Sequence, residues 1–329
     1  MSKVNRNQPK TSKASESSYS LMQFMQDFPD DRTCLDFLWR KRFSPDGEHA
    51  ECPKCERTRR FHRVASRPSY SCDSCGHHVH PTAGTIFHRS ATSLHLWFYA
   101  MYLMTSTRCG ISAKQVEREI GVGYKTAWRM CNLIRNQLME QDDAEPMTGA
   151  VEADETAYGG RPKASMTRGM TIPEVQTFAK ARKVGIVGMV ERGGKVRAYV
   201  QPREGALDAV SRHVSPDATV YTDEWAGYRN LHSTHPTHLT IRHTDRIYAR
   251  GDVHTNTIEG FFGNVKNGIA GNYHGVSAKW LQGYVNEYAW RYNHRDDARA
   301  MFATLSVAGS DLALTLRGLR RHPTDRGMR

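Results

Sequence analysis

No run of this chain approaches the roughly 18 consecutive apolar residues that a membrane-spanning helix needs, and its mean hydropathy is −0.64. A membrane span is therefore excluded. The first twenty residues, MSKVNRNQPKTSKASESSYS, contain no apolar stretch, so no secretory leader is expected. No internal repeat stands out. Acid is in short supply: 34 Asp and Glu face 46 Lys and Arg, a net +12 over 329 residues. That surplus predicts a polyanionic partner, but alone it does not choose among DNA, RNA, a membrane surface and an acidic protein. Cysteine is sparse too. The seven residues are odd in number and four of them form two CxxC pairs, which excludes a secreted disulfide framework and points to metal in a reducing cytosol. What is present, 39% hydrophobic and 24% charged residues, is enough to bury a core. The length suits about two domains, or three small ones.

Composition and periodicity divide the chain. Residues 1–20 form a polar tail expected to be disordered. Residues 21–90 combine a helical pattern over Ser20–Phe43 with the CxxC pairs, which sit among little else that makes a core. Residues 91–140 hold an apolar helix at 92–107 and two shorter helices at 112–137. The acidic stretch 139–149 ends in Gly and is expected to be a linker. From 150 to 300 the pattern turns to strands at 151–154, 184–191, 196–201, 219–223 and 238–243, with helices at 204–214, 256–270 and 277–295. Arg192-Gly193-Gly194-Lys195 marks a hairpin. This is an α/β layout, and a basic tail, 301–329, follows it.

Cys52-Pro-Lys-Cys55 and Cys72-Asp-Ser-Cys75 are sixteen residues apart. Two such knuckles give four thiolates, a full tetrahedral set for structural Zn²⁺, and predict a zinc ribbon. Arg57, Arg59, Arg60 and Arg63 lie in what reads as a loop between the knuckles, placed to meet a nucleic-acid backbone. In the next segment Ser112 caps a helix with an Ala113, Val116, Ile120 stripe, and Gly121 permits a turn. A second helix follows, burying Ala127, Met130, Cys131 and Ile134 and leaving Tyr124, Lys125, Arg129 and Arg135 outward. That is the layout of a helix-turn-helix, whose second helix needs polar and basic residues near its start to reach bases and phosphates. Residues 51–135 hold 13 Lys and Arg against 5 Asp and Glu, which is most of the net charge.

Two candidate strands end in acid, Val151-Glu152-Ala153-Asp154-Glu155 and Thr219-Val220-Tyr221-Thr222-Asp223-Glu224. A third acid, Glu259, lies on a helix whose apolar stripe is Ile258, Phe261, Phe262, Val265 and Ile269. Asn256, Glu259, Gly263 and Lys266 share another face. Three converging carboxylates repel one another unless cations lie between them. Hard divalent ions such as Mg²⁺, paired about 4 Å apart, would resolve that and serve an in-line phosphoryl displacement. Asp154, Asp223 and Glu259 are the expected ligands, with Asp154 bridging and Lys266 on a DNA phosphate or end base. Glu155 and Glu224 read as solvent-facing neighbours. The aromatics Trp280, Tyr284, Tyr288, Trp290 and Tyr292 read as core. Arg291, Asn293, His294 and Arg295 close that helix, where cations suit its dipole and DNA contact is a second expected role.

Asp223 and Glu259 are separated by 35 residues, with Lys266 seven beyond the Glu, a spacing that resembles the D,D-35-E plus K pattern of DDE transposases. VEADETAYGG, YTDEWAGY, HTNTIEGFFGNVKNGI and NEYAWRYNHR closely resemble insertion-sequence transposases of the ISXO type. The ribbon, PTAGTIFHRS and ISAKQVEREIGVGYKTAWRM follow in the same order, so the likeness spans roughly residues 20–300. The resemblance implies an RNase H-like catalytic domain with a mixed sheet and flanking helices. It also implies catalytic Mg²⁺ or Mn²⁺ beside the structural Zn²⁺, and action in a bacterial or archaeal cytoplasm, associated with the nucleoid. The expected partners are terminal inverted repeats, target DNA and at least one further copy in the synaptic complex, with no membrane. Some members use Asn as the third ligand, which makes Asn256 the alternative to Glu259. Phe262-Gly263 replaces a Trp-Ser-like pair and is expected to loosen that helix. A catalytically inactive DNA-binding relic and an RNase H-like nuclease without strand transfer are the alternative functions.

Overall fold

The computed structural model describes residues 19–107, 109–141, 144–159, 162, 164–200, 205–241, 252–295, 302 and 304. The tails expected at 1–20 and 301–329 therefore lie almost wholly outside the described residues, as do Gly160, Arg161, Gln201, Arg242 and His243. The chain forms two compact units, Met1–Leu138 with Asp296–Arg329, and Met139–Arg295.

In the first unit the single helical pattern near the start resolves into two helices, α1 (Leu21–Asp27) and α2 (Asp31–Arg42), because Pro29 interrupts it. Ser20 opens α1 with a capping box to Gln23, and Asp30 opens α2 by accepting from the Thr33 N–H at 2.8 Å. An antiparallel sheet follows, β1 (His49–Cys52), β2 (Arg57–Val64), β3 (Ser69–Cys72) and β4 (His78–Val79), in that order. The segment expected to lack a core acquires one from α2. The Trp39 indole stacks on Tyr70 with ring centres 4.2 Å apart, and Phe61 lies against it at 5.3 Å. The Trp39 N–H donates to the Gly47 carbonyl, so its polar edge is satisfied. The apolar helix α3 (Leu94–Ser106) buries Trp97, Phe98, Met101 and Met104 completely. The pair α4 (Ala113–Ile120) and α5 (Tyr124–Leu133) is joined at Gly121, whose φ of 70° suits a residue without a Cβ. Ser112 caps α4 through the Gln115 N–H.

The second unit is built on a five-stranded mixed sheet. Its strands are β5 (Ala150–Gly159), β6 (Lys183–Glu191), β7 (Val196–Val200), β8 (Thr219–Thr222) and β9 (His238–Thr240), ordered β7-β6-β5-β8-β9. β6 runs antiparallel to both β5 and β7, whereas β5, β8 and β9 are mutually parallel. Helix α6 (Ile172–Ala181), which the sequence reading left unassigned, precedes β6. Strand parity sorts the core. Val151, Ala153, Val187 and Met189 meet Ala209 and Val210 of α7 (Ala206–His213) on one face. Ile186, Val190, Val196 and Ala198 meet α8 (Asn256–Gly268) and α9 (Leu281–Asn293) on the other.

The stretch read as a linker contributes to this unit. Met139 and Met147 are buried, Gln141 donates to the Ala198 carbonyl at 2.6 Å, and Met147 bridges to Val214. Phe262, at the position of the Trp-Ser-like pair, is well buried. Phe262 is 3% exposed, and with Ile258 it closes over Gly188, where a Cβ would lie 2.8 Å from both side chains. Tyr288 and Trp290 are buried, as the spacing of the aromatics indicates.

Candidate functional site

The carboxylates are placed by the pleat of β5. Asp154 pairs with Gly188, the residue covered by α8, so Asp154 shares the α8 face of the sheet with Glu152. On the parallel side Glu152 pairs with Tyr221, and carrying that register two residues on brings Asp154 level with Asp223, just beyond the end of β8. Asp154, Glu155 and Asp223 each offer an oxygen within 4.8 Å of the others. Asp154 Oδ1 accepts from the Glu155 N–H at 2.8 Å and Asp223 Oδ1 from the Trp225 N–H at 3.0 Å, which fixes one edge of each carboxylate. Beneath them lies Tyr228, 1% exposed. Burial first, then the charges of Glu155, Asp154 and Asp223, raise its phenol well above the ordinary value and keep it protonated. Glu155, read from sequence as a solvent-facing neighbour, is thus a member of the cluster.

The third expected acid stands apart. Glu259 lies in the first turn of α8, exposed, and its Oε1 accepts from Thr255 Oγ1 at 2.9 Å. Asn256 and Lys266 are also exposed on this helix, while Ile258, Phe261, Phe262 and Val265 are buried, which reproduces the two faces read from the sequence. Among the described residues the carboxylates within mutual ligand distance are Asp154, Glu155 and Asp223, and Glu259 is not among them.

Glu152 fastens α8 to the sheet, a role the sequence reading missed. Its side chain is completely buried. Oε2 accepts from the backbone N–H groups of Thr257 and Ile258 at 2.8 and 3.2 Å, and Oε1 accepts from Thr257 Oγ1 at 2.9 Å and Arg192 Nε at 2.8 Å. His254 Nδ1 is 3.1 Å away. A buried negative charge at a helix N-terminus satisfies donors that have no partner within the helix and is favoured by the helix dipole. Arg192 also donates to the His254 carbonyl at 3.0 Å and lies over the Tyr221 ring. The available signal was parity, since Glu152 occupies the buried face of a strand two residues before Asp154.

In the first unit Cys52, Cys55, Cys72 and Cys75 bring their sulfurs within 4.8 Å of one another. Cys52 and Cys75 are 3.7 Å apart, and Cys55 and Cys72 4.0 Å. A tetrahedron with 2.3 Å metal–sulfur bonds has an edge of about 3.8 Å, so the spacing fits one metal ion. Burial raises the Cys52 thiol, but the N–H groups of Cys55 and Lys54 outweigh it and bring the group down to about 7.

Comparison with known proteins places the chain in a family. Residues 146–293 match the ISXO2-like transposase domain. An uncharacterized protein in transposable element ISH50 of Halobacterium salinarum is 31% identical over 257 residues, 73% of this chain and 84% of that protein. The chain belongs to the ISXO2-like transposases. An uncharacterized transposase-like protein of Haemophilus influenzae is 27% identical over 90 residues, 27% of this chain and 72% of that one. No solved structure gives a significant match.

The basic residues expected from the sequence to meet DNA lie on two elements of this transposase. The arginines between the knuckles lie on strand β2, not in a loop. Arg57 and Arg60 are exposed, Arg60 pairing with Glu48 at 3.2 Å, whereas Arg59 and Arg63 are partly covered. On α5, Tyr124, Lys125 and Arg129 are exposed, Tyr124 at 49%. Arg135, read as outward, is 2% exposed and donates to the Ile111 carbonyl. Arg291 and Asn293 are structural in this transposase as well. Arg291 pairs with buried Glu287 at 2.9 Å, and Asn293 clamps both backbone groups of Val196. No helix among the described residues is long and apolar enough to cross a membrane.

Proposed function

We propose that this transposase binds the terminal inverted repeats of its insertion sequence, hydrolyses the phosphodiester at the transposon end and joins the freed 3′-OH to target DNA. The observation that carries the proposal is the meeting, within 4.8 Å, of Asp154, midway along β5, and Asp223, just past the end of the parallel strand β8. The order β7-β6-β5-β8-β9, with three antiparallel strands and then two parallel ones, supports an RNase H-like reading of the sheet. Oxygen donors of like charge at this spacing suit Mg²⁺ or Mn²⁺. Two such ions, when bound, would stabilise the attacking and leaving oxygens of an in-line displacement. Asp154 and Asp223 would hold them, with Glu259 as third ligand and Asn256 as its alternative. Lys266, two turns along α8 from Glu259, would hold a DNA phosphate.

The balance of both steps is simple. Water attacks phosphorus and the bond to the 3′ oxygen breaks, leaving a 3′-OH and a 5′-phosphate. That 3′ oxygen then attacks a target phosphorus and expels the target's own 3′ oxygen, with no covalent enzyme intermediate. A pre-cleaved transposon end incubated with the protein, Mg²⁺ and plasmid is expected to yield joined products. Nicking without joining would indicate a nuclease, and binding alone an inactive relic.

The four cysteines would hold a structural Zn²⁺, and α4–α5 would act as a helix-turn-helix, with Tyr124, Lys125 and Arg129 facing DNA beside Arg57, Arg59, Arg60 and Arg63 of the ribbon. The reading units would be 21–90 and 91–140 and the catalytic domain 150–300, acting in the cytoplasm as at least a dimer in the synaptic complex. One Zn²⁺ per chain is expected by atomic emission. Cys72→Ser should release it and weaken binding to the repeats by 10-fold or more, since such sites fold only with their metal. Metal retention by Cys72→Ser would refute the assignment.

A further inference from the structure

A cavity of about 760 Å³ lies in the first unit between the β2–β3 hairpin, the start of α2 and the segment leading into α3. Three guanidinium-bearing residues, Arg63, Arg67 and Arg89, line it against a single carboxylate, Asp31. That carboxylate is already engaged, since Asp31 Oδ1 accepts from Ser93 Oγ and from the His95 N–H at the start of α3. The positive charge is left without a local counter-charge of equal size.

Two further observations indicate what belongs there. Arg63 Nε and Nη1 are buried and meet no hydrogen-bond acceptor among the described residues. The nearest carboxylate, Asp36, is 3.8 Å from Nη1 and is held by the Tyr70 hydroxyl. An anion in the cavity would offset the Arg63 charge, which Asp36 meets only at ion-pair distance. Arg89 is held at φ 53°, a left-handed conformation that a side-chain-bearing residue adopts only when its surroundings impose it, and one that concentrates at binding sites. The wall carrying Arg89 is tied back by Arg42, which donates to the Pro81 and Ala83 carbonyls.

We propose that this cavity receives a backbone phosphate of a DNA strand, held by Arg63, Arg67 and Arg89. The inference rests on the DNA-binding reading and adds to it a built phosphate site behind the exposed face of the ribbon. A free phosphate or nucleotide shares the chemistry, so the test separates the two sources.

Binding of the full-length, zinc-loaded protein to a labelled random-sequence duplex would be followed by fluorescence anisotropy from about 50 to about 200 mM salt. Arg63→Gln and Arg89→Gln are each expected to lower the slope of log K against log salt by about one, as loss of one phosphate contact requires. Arg89 is exposed, so its variant should keep wild-type zinc content and melting, which guards against misfolding at the partly buried Arg63. If both variants keep the wild-type slope while Arg57→Gln lowers it, the cavity holds no strand although the DNA reading survives. If the wild-type protein shows no salt-dependent binding at all, the DNA reading itself fails. Inorganic phosphate titrated calorimetrically provides the second arm: millimolar or tighter binding with unchanged DNA slopes would assign the cavity to a free anion and overturn the proposal.

Discussion

Asp154→Asn is expected to reduce Mg²⁺-dependent end cleavage and strand transfer roughly 10³-fold or more, the scale on which losing a group that stabilises transferring phosphoryl charge operates. Binding to the inverted repeats should stay near the wild-type level, because Asp154 sits in the unit separate from the ribbon and the α4–α5 pair. Asp223→Asn should behave alike, since the two carboxylates share one cluster. The same assay ranks the third ligand. If Glu259 serves, Glu259→Gln joins the inactive class while Asn256→Ala and Glu155→Gln retain most activity. Full activity in Glu259→Gln with loss in Asn256→Ala would transfer the role one turn back along α8. Loss in Glu155→Gln alone would transfer it to the strand. Wild-type turnover by Asp154→Asn would remove the metal-site reading altogether.

The second large effect is expected at a residue that touches no substrate. Glu152→Ala strips the carboxylate that joins the first turn of α8 to β5 and leaves Arg192 facing a void. Removing one partner of a buried ion pair costs about 3–5 kcal/mol, so the urea midpoint of the unit Met139–Arg295 should fall sharply. Glu152→Gln keeps an acceptor oxygen for the helix N–H groups but no charge for Arg192, and should be intermediate. Cleavage should fall in both variants, because the helix that carries Glu259 and Lys266 is located through Glu152. An unfolding free energy within about 0.5 kcal/mol of wild type in Glu152→Ala, the range typical of surface changes, would show that the anchor is dispensable.

Asp154 and Asp223 were legible because acids that follow apolar strand residues have no packing role, although only Asp223 closes its strand and β5 runs on past Asp154 to Gly159. The two faces of α8 were legible because a 13-residue helix displays its periodicity over more than three turns. Glu155 and Glu152 were read less well for one reason. Alternation assigns sides to a strand's residues but does not say which side faces solvent, nor that a neighbouring strand end can gather acids from both sides of the pleat. Arg135 was misjudged because an arginine on an amphipathic helix can bury its stem and spend its donors on a backbone carbonyl such as that of Ile111. The strands of the ribbon escaped notice because their aromatic positions, Phe61 and Tyr70, are single residues among polar and charged ones, and their partner, Trp39, lies in the preceding helix.

That last arrangement bears on how such elements are exchanged between lineages. The two knuckles look like a portable cassette bounded by their cysteines, yet the indole that floors them is encoded upstream, before residue 45. A recombination event with its breakpoint between Trp39 and Cys52 would move the metal ligands and leave their hydrophobic footing behind. The inheritable module therefore begins at α2, and shuffled descendants should carry an aromatic residue at the end of the helix that precedes their first knuckle.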